Sequence, residues 1–167
     1  MLFQAKENMK VRFACFAIMG LTAAFVFFAA AHERTAFAQK VTAPTSSVWD
    51  GVYTQAQADR GEDAYQQRCL DCHGEDLGGD DDMATPLAGG KFMSNWNGLT
   101  VGDLFERIRN TMPLSYPGPG TLSKESISDI LAYILSYNKF PAGQTELPRD
   151  KSVLKMITIQ AMKPDQK

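Results

Sequence analysis

The sequence predicts an all-α domain, three main helices joined by irregular loops. Three observations predict it. Three segments place a capping residue directly ahead of apolar residues at helical spacing. No segment keeps the two-residue alternation of a half-buried strand. Most of the prolines and glycines fall between the helical segments rather than inside them.

The 167-residue chain opens with a basic stretch (Lys6, Lys10, Arg12), a 19-residue apolar run from Phe13 to Ala31, and Ala36-Phe37-Ala38, a small-x-small cleavage pattern. Residues 1–38 therefore read as a signal peptide cut after Ala38. The run is longer than the ~7–15 residues usual for such peptides and close to the ~20 that span a bilayer, so an uncleaved membrane anchor is the competing reading. Cys15 sits near the start of the run, the wrong place for a lipidated N-terminal cysteine.

Residues 39–47 are polar and read as a linker, 48–148 as one domain, and 149–167 as an uncommitted C-terminal tail. Without the leader, 129 residues remain, enough for one core. They carry 13 basic and 17 acidic residues, a net charge of −4, with no basic cluster. That balance gives nucleic acid no electrostatic footprint.

Thr54 is placed to cap a first helix through Arg68, with Ala58, Gly61, Ala64, Tyr65 and Arg68 on one side. Residues 74–98 are rich in Gly, Asp and Asn and read as loop. Thr100 with Asp103 forms a capping-box signature for a second helix ending near Asn110, whose Leu104, Phe105 and Ile108 face a core. Pro113, Pro117 and Pro119 then stiffen an extended loop. Ser123 caps the third helix, whose stripe of Ile127, Ile130, Leu131, Ile134 and Leu135 runs out at Asn138.

Beyond the leader the chain retains only Cys69, Cys72 and His73 as thiol and imidazole groups, all in Cys69-Leu70-Asp71-Cys72-His73. This is the C-x-x-C-H sequence of c-type haem attachment. Two thiols three residues apart reach the two vinyl groups along one porphyrin edge, and the next residue brings its imidazole under the iron. A structural zinc site wants four ligands and only three are present. A thioredoxin-like pair would need a β-α-β setting, and a plain disulfide leaves His73 unexplained. The sequence thus implies one covalent haem c per chain, attached outside the cytosol.

On these residues, positions 49–148 resemble a single-haem class I cytochrome c domain. Gly61, Tyr65 and Cys69 are similar to that family's first helix, and Leu131, Tyr133 and Ile134 to its last, the two crossing closely. Thr111-Met112-Pro113 resembles its axial-methionine loop. The family's Pro-x-Leu-x-Gly appears here as Pro86-Leu87-Ala88-Gly89, so either Thr85 or Pro86 is positioned to offer its carbonyl to His73. Trp49-Asp-Gly-Val-Tyr53 and the stretch from Asn95 to Phe105 are similar to cytochromes that accompany exported quinoprotein alcohol dehydrogenases. A terminal oxidase is an equal candidate partner.

With His73 on one face of the iron, no second histidine competes for the other. Met83 adjoins Asp80-Asp81-Asp82, and Met156 and Met162 lie in the tail. Met112 heads the proline-stiffened loop between two capped helices and is the expected sixth ligand, with Met93 not dismissed by position. A sealed His73/Met112 iron predicts a single-electron carrier, and the leader places it, periplasmic or otherwise exported, in a respiratory or dehydrogenase-linked chain. The rival is a haem enzyme or gas sensor with an open sixth position. Asp71, Glu75, Asp76 and Asp80 to Asp82 read as solvated loop or as a patch steering a basic partner. Trp49, Trp96 and Tyr116 read as core or haem-packing aromatics, and Asn95, Trp96 and Asn97 as candidates for a haem propionate. N-terminal sequencing of the exported protein is expected to begin at Gln39, and an intact Met1 in the membrane fraction would refute cleavage.

Overall fold

A computed structural model describes residues 46–80 and 84–164. The leader 1–38, most of the linker, and Asp81, Asp82 and Met83 lie outside the described residues. The described part runs β1 (Ser46–Ser47), a 3-10 turn (Val48–Asp50), α1 (Gln55–Arg68), α2 (Leu70–His73), α3 (Gly89–Trp96), α4 (Val101–Thr111), α5 (Lys124–Tyr137), α6 (Lys151–Leu154) and β2 (Ile157–Thr158). The fold is all-α, and the three main helices fall where their caps announced them.

Each cap works by the expected contact. Thr54 Oγ1 accepts from the Gln57 amide at 3.2 Å, and Ser123 Oγ from the Ser126 amide at 3.0 Å. Thr100 and Asp103 close a full capping box, each side chain accepting from the other's backbone amide. These bonds satisfy amides that the first helical turn leaves without partners.

α1 and α5 make the central crossing. α5 buries more than its predicted stripe, because Ser128 and Asp129 are also inside. A Cβ at Gly61 would overlap the Asp129 carbonyl, so only glycine lets the two backbones meet there. Arg60 closes over the contact, its Nε and Nη2 each 3.1 Å from the Asp129 carboxylate. Buried Gln57 donates to the Leu147 carbonyl at 3.0 Å and accepts from its amide at 2.6 Å, pinning the chain beyond α5 without leaving a buried backbone group unpaired.

Two segments differ from the sequence reading. Residues 74–98 are not all loop: α3 occupies Gly89–Trp96, burying Phe92 with Met93 and Trp96 half-buried beside it. Its two leading glycines and short length kept the helical signal weak. The tail is not loose either. Leu154, Ile157 and Ile159 belong to the main core. β2 pairs in parallel with β1, and Ile159 exchanges backbone bonds of 2.8 Å with Gly98 and Leu99. Two-residue strands are too short to show an alternation, and linker residues Ser46 and Ser47 are themselves half of one ladder.

The tail and α4 also share charge. Lys155 Nζ lies 2.9 Å from Glu106 and 3.2 Å from Asp103, and Lys151 Nζ 2.9 Å from Glu106. The Asp103 carboxyl is held below its ordinary range, chiefly by the Thr100 hydroxyl and amide and then by Lys155. A depressed carboxyl contributes stability above its unfolded pKa of about 3.9 and loses it as pH falls through the folded value. Asp103→Asn should therefore be less stable than the parent at neutral pH, with the gap closing as pH falls below about 4, as read by denaturant titrations across that range.

Candidate haem site

α1 delivers the attachment sequence. Its last bonds run Cys69 N–H to Tyr65 O at 2.8 Å, after which the chain turns and begins α2 with His73 N–H donating to Cys69 O at 2.9 Å. Cys69 and Cys72 thus sit one turn apart, and neither forms a disulfide. Cys69 is half-buried and Cys72 exposed. Burial pushes the Cys69 thiol up to about 11, with the neighbouring Cys72 adding to the rise. A thiol that stays protonated at neutral pH is a poor thiolate ligand or exchange nucleophile.

His73 is buried, 8% exposed. Its Nδ1 lies 3.1 Å from the Thr85 carbonyl. A carbonyl oxygen only accepts, so Nδ1 carries the proton and Nε2 keeps its lone pair. Burial lowers the proton affinity of the ring, partly opposed by the Thr85 bond. Of the two carbonyls left open by the sequence, Thr85 makes the contact.

The loop carrying Thr85 is tied at several points. Tyr65 Oη donates to Gly74 O at 2.7 Å, Gly79 N–H to His73 O at 2.9 Å, and Leu87 N–H to Leu77 O at 2.8 Å. Asn138, at the end of α5, donates through Nδ2 to Leu87 O at 2.9 Å and accepts from Gly89 N–H at 3.0 Å. In the sequence alone Asn138 marks only the end of an apolar stripe. An amide that bonds both ways beside a helix C-terminus was the available signal.

Met112 is the C-cap residue of α4, extended, half-buried against the core, with its N–H donating to Ile108 O at 2.9 Å. Met93 is also half-buried, on α3, so burial alone does not separate the two. Met156 and Met162 are 37% and 62% exposed. Trp49 packs edge-on against Phe140 and donates to Gln160 O at 2.9 Å, a core role. Tyr116 is almost fully exposed, contrary to a core role. Asn97 accepts from Ala161 N–H at 2.9 Å and so fastens the tail, while Asn95 is exposed. In the acidic loop Asp76 accepts from Gly78 N–H at 2.9 Å and shapes its own turn.

These residues fit haem c. Two unpaired thiols one turn apart precede a neutral, oriented imidazole, and Leu70, Leu87, Met93, Trp96 and Met112 pack on the core with part of each side chain accessible. An all-α domain whose α1 and α5 cross at a glycine, with C-x-x-C-H at the end of α1, defines a class I c-type cytochrome. Residues 56–134 match the family described as cytochrome c oxidase, cbb3-type, subunit III, and this part of the chain is a class I c-type cytochrome domain. Domains of this class bind haem c covalently and carry electrons between redox proteins. No curated protein matches the chain.

Proposed function

We propose that this chain is an exported single-electron carrier holding one haem c, attached through Cys69 and Cys72 and ligated by His73 and Met112. The observation that supports this most is the His73–Thr85 contact, which leaves Nε2 as a lone-pair donor one residue after the second thiol. Haem c, when bound, supplies an iron that gains and loses one electron.

His73 donates Nε2, and the Thr85 carbonyl keeps the Nδ1 proton in place and makes the ring a better donor. Met112 offers a thioether, a ligand that favours the ferrous state and raises the potential. With His73 and Met112 both holding the iron, no place would remain for a substrate, and the chain would pass electrons rather than transform a bound molecule. Residues 1–38 direct export to the periplasm and are removed; if they stay, they tether the domain to the membrane. The partner is a terminal oxidase or a quinoprotein dehydrogenase, and the description of the matched family favours the oxidase.

Replacing both Cys69 and Cys72 with Ala should abolish haem staining on a denaturing gel, since no second C-x-x-C-H exists in the sequence. Retained staining would overturn the attachment site.

The ligand assignment is tested by a redox titration with optical spectra of the holoprotein, Met112→Ala and Met93→Ala side by side. Met112→Ala should lower the potential by a sizeable part of the roughly 0.8 V over which axial ligands tune haem iron, and should let carbon monoxide bind the reduced protein. Met93→Ala should do neither. The reverse pattern would assign Met93, and rapid carbon monoxide binding by the parent would favour a ligand-binding haem protein.

A further inference from the structure

The C-terminal segment Asp150–Ala161 lies beyond the matched family region and carries no residue of the proposed haem site, yet it is bonded to the stretch that leads directly into α4. Ile159 bonds both Gly98 and Leu99, Thr158 bridges Thr100, and Ala161 bonds the Asn97 side chain. Trp49 and Ser47 both bond Gln160, closing the segment from the other side. α4 itself is gripped at its first turn. A Cβ on Gly102 would stand 2.7 Å from Lys155 N and 2.9 Å from Lys155 Cα, closer than real Cβ contacts allow. Asp103 and Glu106 reach Lys155, and Glu106 also reaches Lys151.

α4 is a rigid lever. Its eleven residues put its ends about 15 Å apart at 1.5 Å per residue. Its near end rests on this segment, and its far end is Met112, still bonded to the last turn through Ile108. Nothing of the kind applies to Cys69, Cys72 and His73, which hang from α1 and from the loop that Asn138 ties to α5.

We propose that residues 150–161 act as a strap that positions Met112 through α4, so that the hold on the sixth ligand, but not haem attachment or His73, is set from the C-terminus. The inference rests on the reading of Met112 as that ligand. Ile157, Ile159 and the Gly102–Lys155 contact are its positioning elements.

The test compares three holoprotein variants. Gly102→Ala wedges the strap from α4. Ile159→Ala empties a fully buried position in the strap without touching α4's sequence. Leu147→Ala is the control, a buried residue bonded to Gln57 and Ser128 rather than to α4. Each is measured for haem staining, for denaturant stability, for the thioether-to-ferric-iron absorption band and for the rate of carbon monoxide binding to the reduced protein.

Both strap variants should keep covalent haem while the band weakens and carbon monoxide binds about tenfold faster, since that rate follows the population with the methionine released. Leu147→Ala should lose stability and leave band and rate unchanged. If strap variants and control change the band and rate only in proportion to lost stability, or if the strap variants leave both as in the parent, the strap has no positioning role. A parent without the thioether band would instead remove the Met112 reading, and the strap proposal with it.

Discussion

The close contact of α1 with α5 at Gly61 is the constraint on which the rest of the domain depends. A backbone carbonyl of α5 occupies the space that any side chain at Gly61 would need. With that distance set, Tyr65 lies one turn further along α1, its ring 5.2 Å from that of Tyr133 on α5, and its hydroxyl reaches Gly74 just past the attachment sequence. The other end of α5 carries Asn138, which holds Leu87 and Gly89. Both sides of the His73–Thr85 contact are therefore hung from one crossing, one through α1 and the other through the end of α5.

Burial does the remaining chemistry at His73. In water an imidazole titrates near neutrality and exchanges tautomers freely. Inside the protein its charged form is disfavoured, and Nδ1 faces the Thr85 carbonyl, an oxygen that cannot donate. The ring is thereby held neutral, in one tautomer, with its second nitrogen available. Cys69 is treated in the same sense, since burial keeps it a thiol. The low dielectric that makes charged groups costly here is supplied by the same packed helices that fix the geometry.

The parts of the fold legible in the sequence were those governed by local physics. Thr54, Thr100 and Ser123 each satisfy an amide three residues away, so their role is written in nearby positions, and the α4 and α5 stripes repeat over several turns. The attachment sequence was legible for the same reason, being contained in five residues. What was not legible depends on contacts remote in sequence. Ile157 and Thr158 are strand residues only because Ser46 and Ser47 lie beside them, Ile159 is fixed only by Gly98 and Leu99, and α3 is too short and too glycine-rich at its start to announce itself. Thr85 and Pro86 were indistinguishable because a carbonyl's direction depends on the whole loop. Asn138 had no local reason to matter until the loop at 87–89 was brought to it.

The domain is in this sense built in two mechanically distinct halves. The half bearing Cys69, Cys72 and His73 is fixed by main-chain contacts around the α1–α5 crossing, by a glycine approach and by buried hydrogen bonds, none of which involves α4. The half bearing Met112 is fixed by α4, whose inner face rests on α5 but whose first turn rests on a segment more than forty residues away in sequence. Ion pairs at that junction are partly exposed and contribute little individually, whereas Leu154, Ile157 and Ile159 are buried and contribute by the apolar area they remove from water. The strength of the α4 support is thus governed mainly by how well three apolar side chains are packed. Changes in those side chains can adjust the support at Met112 without disturbing the imidazole side, because the bonds described above for the His73–Thr85 contact run through Tyr65, Leu77, Gly79, Leu87 and Asn138 instead.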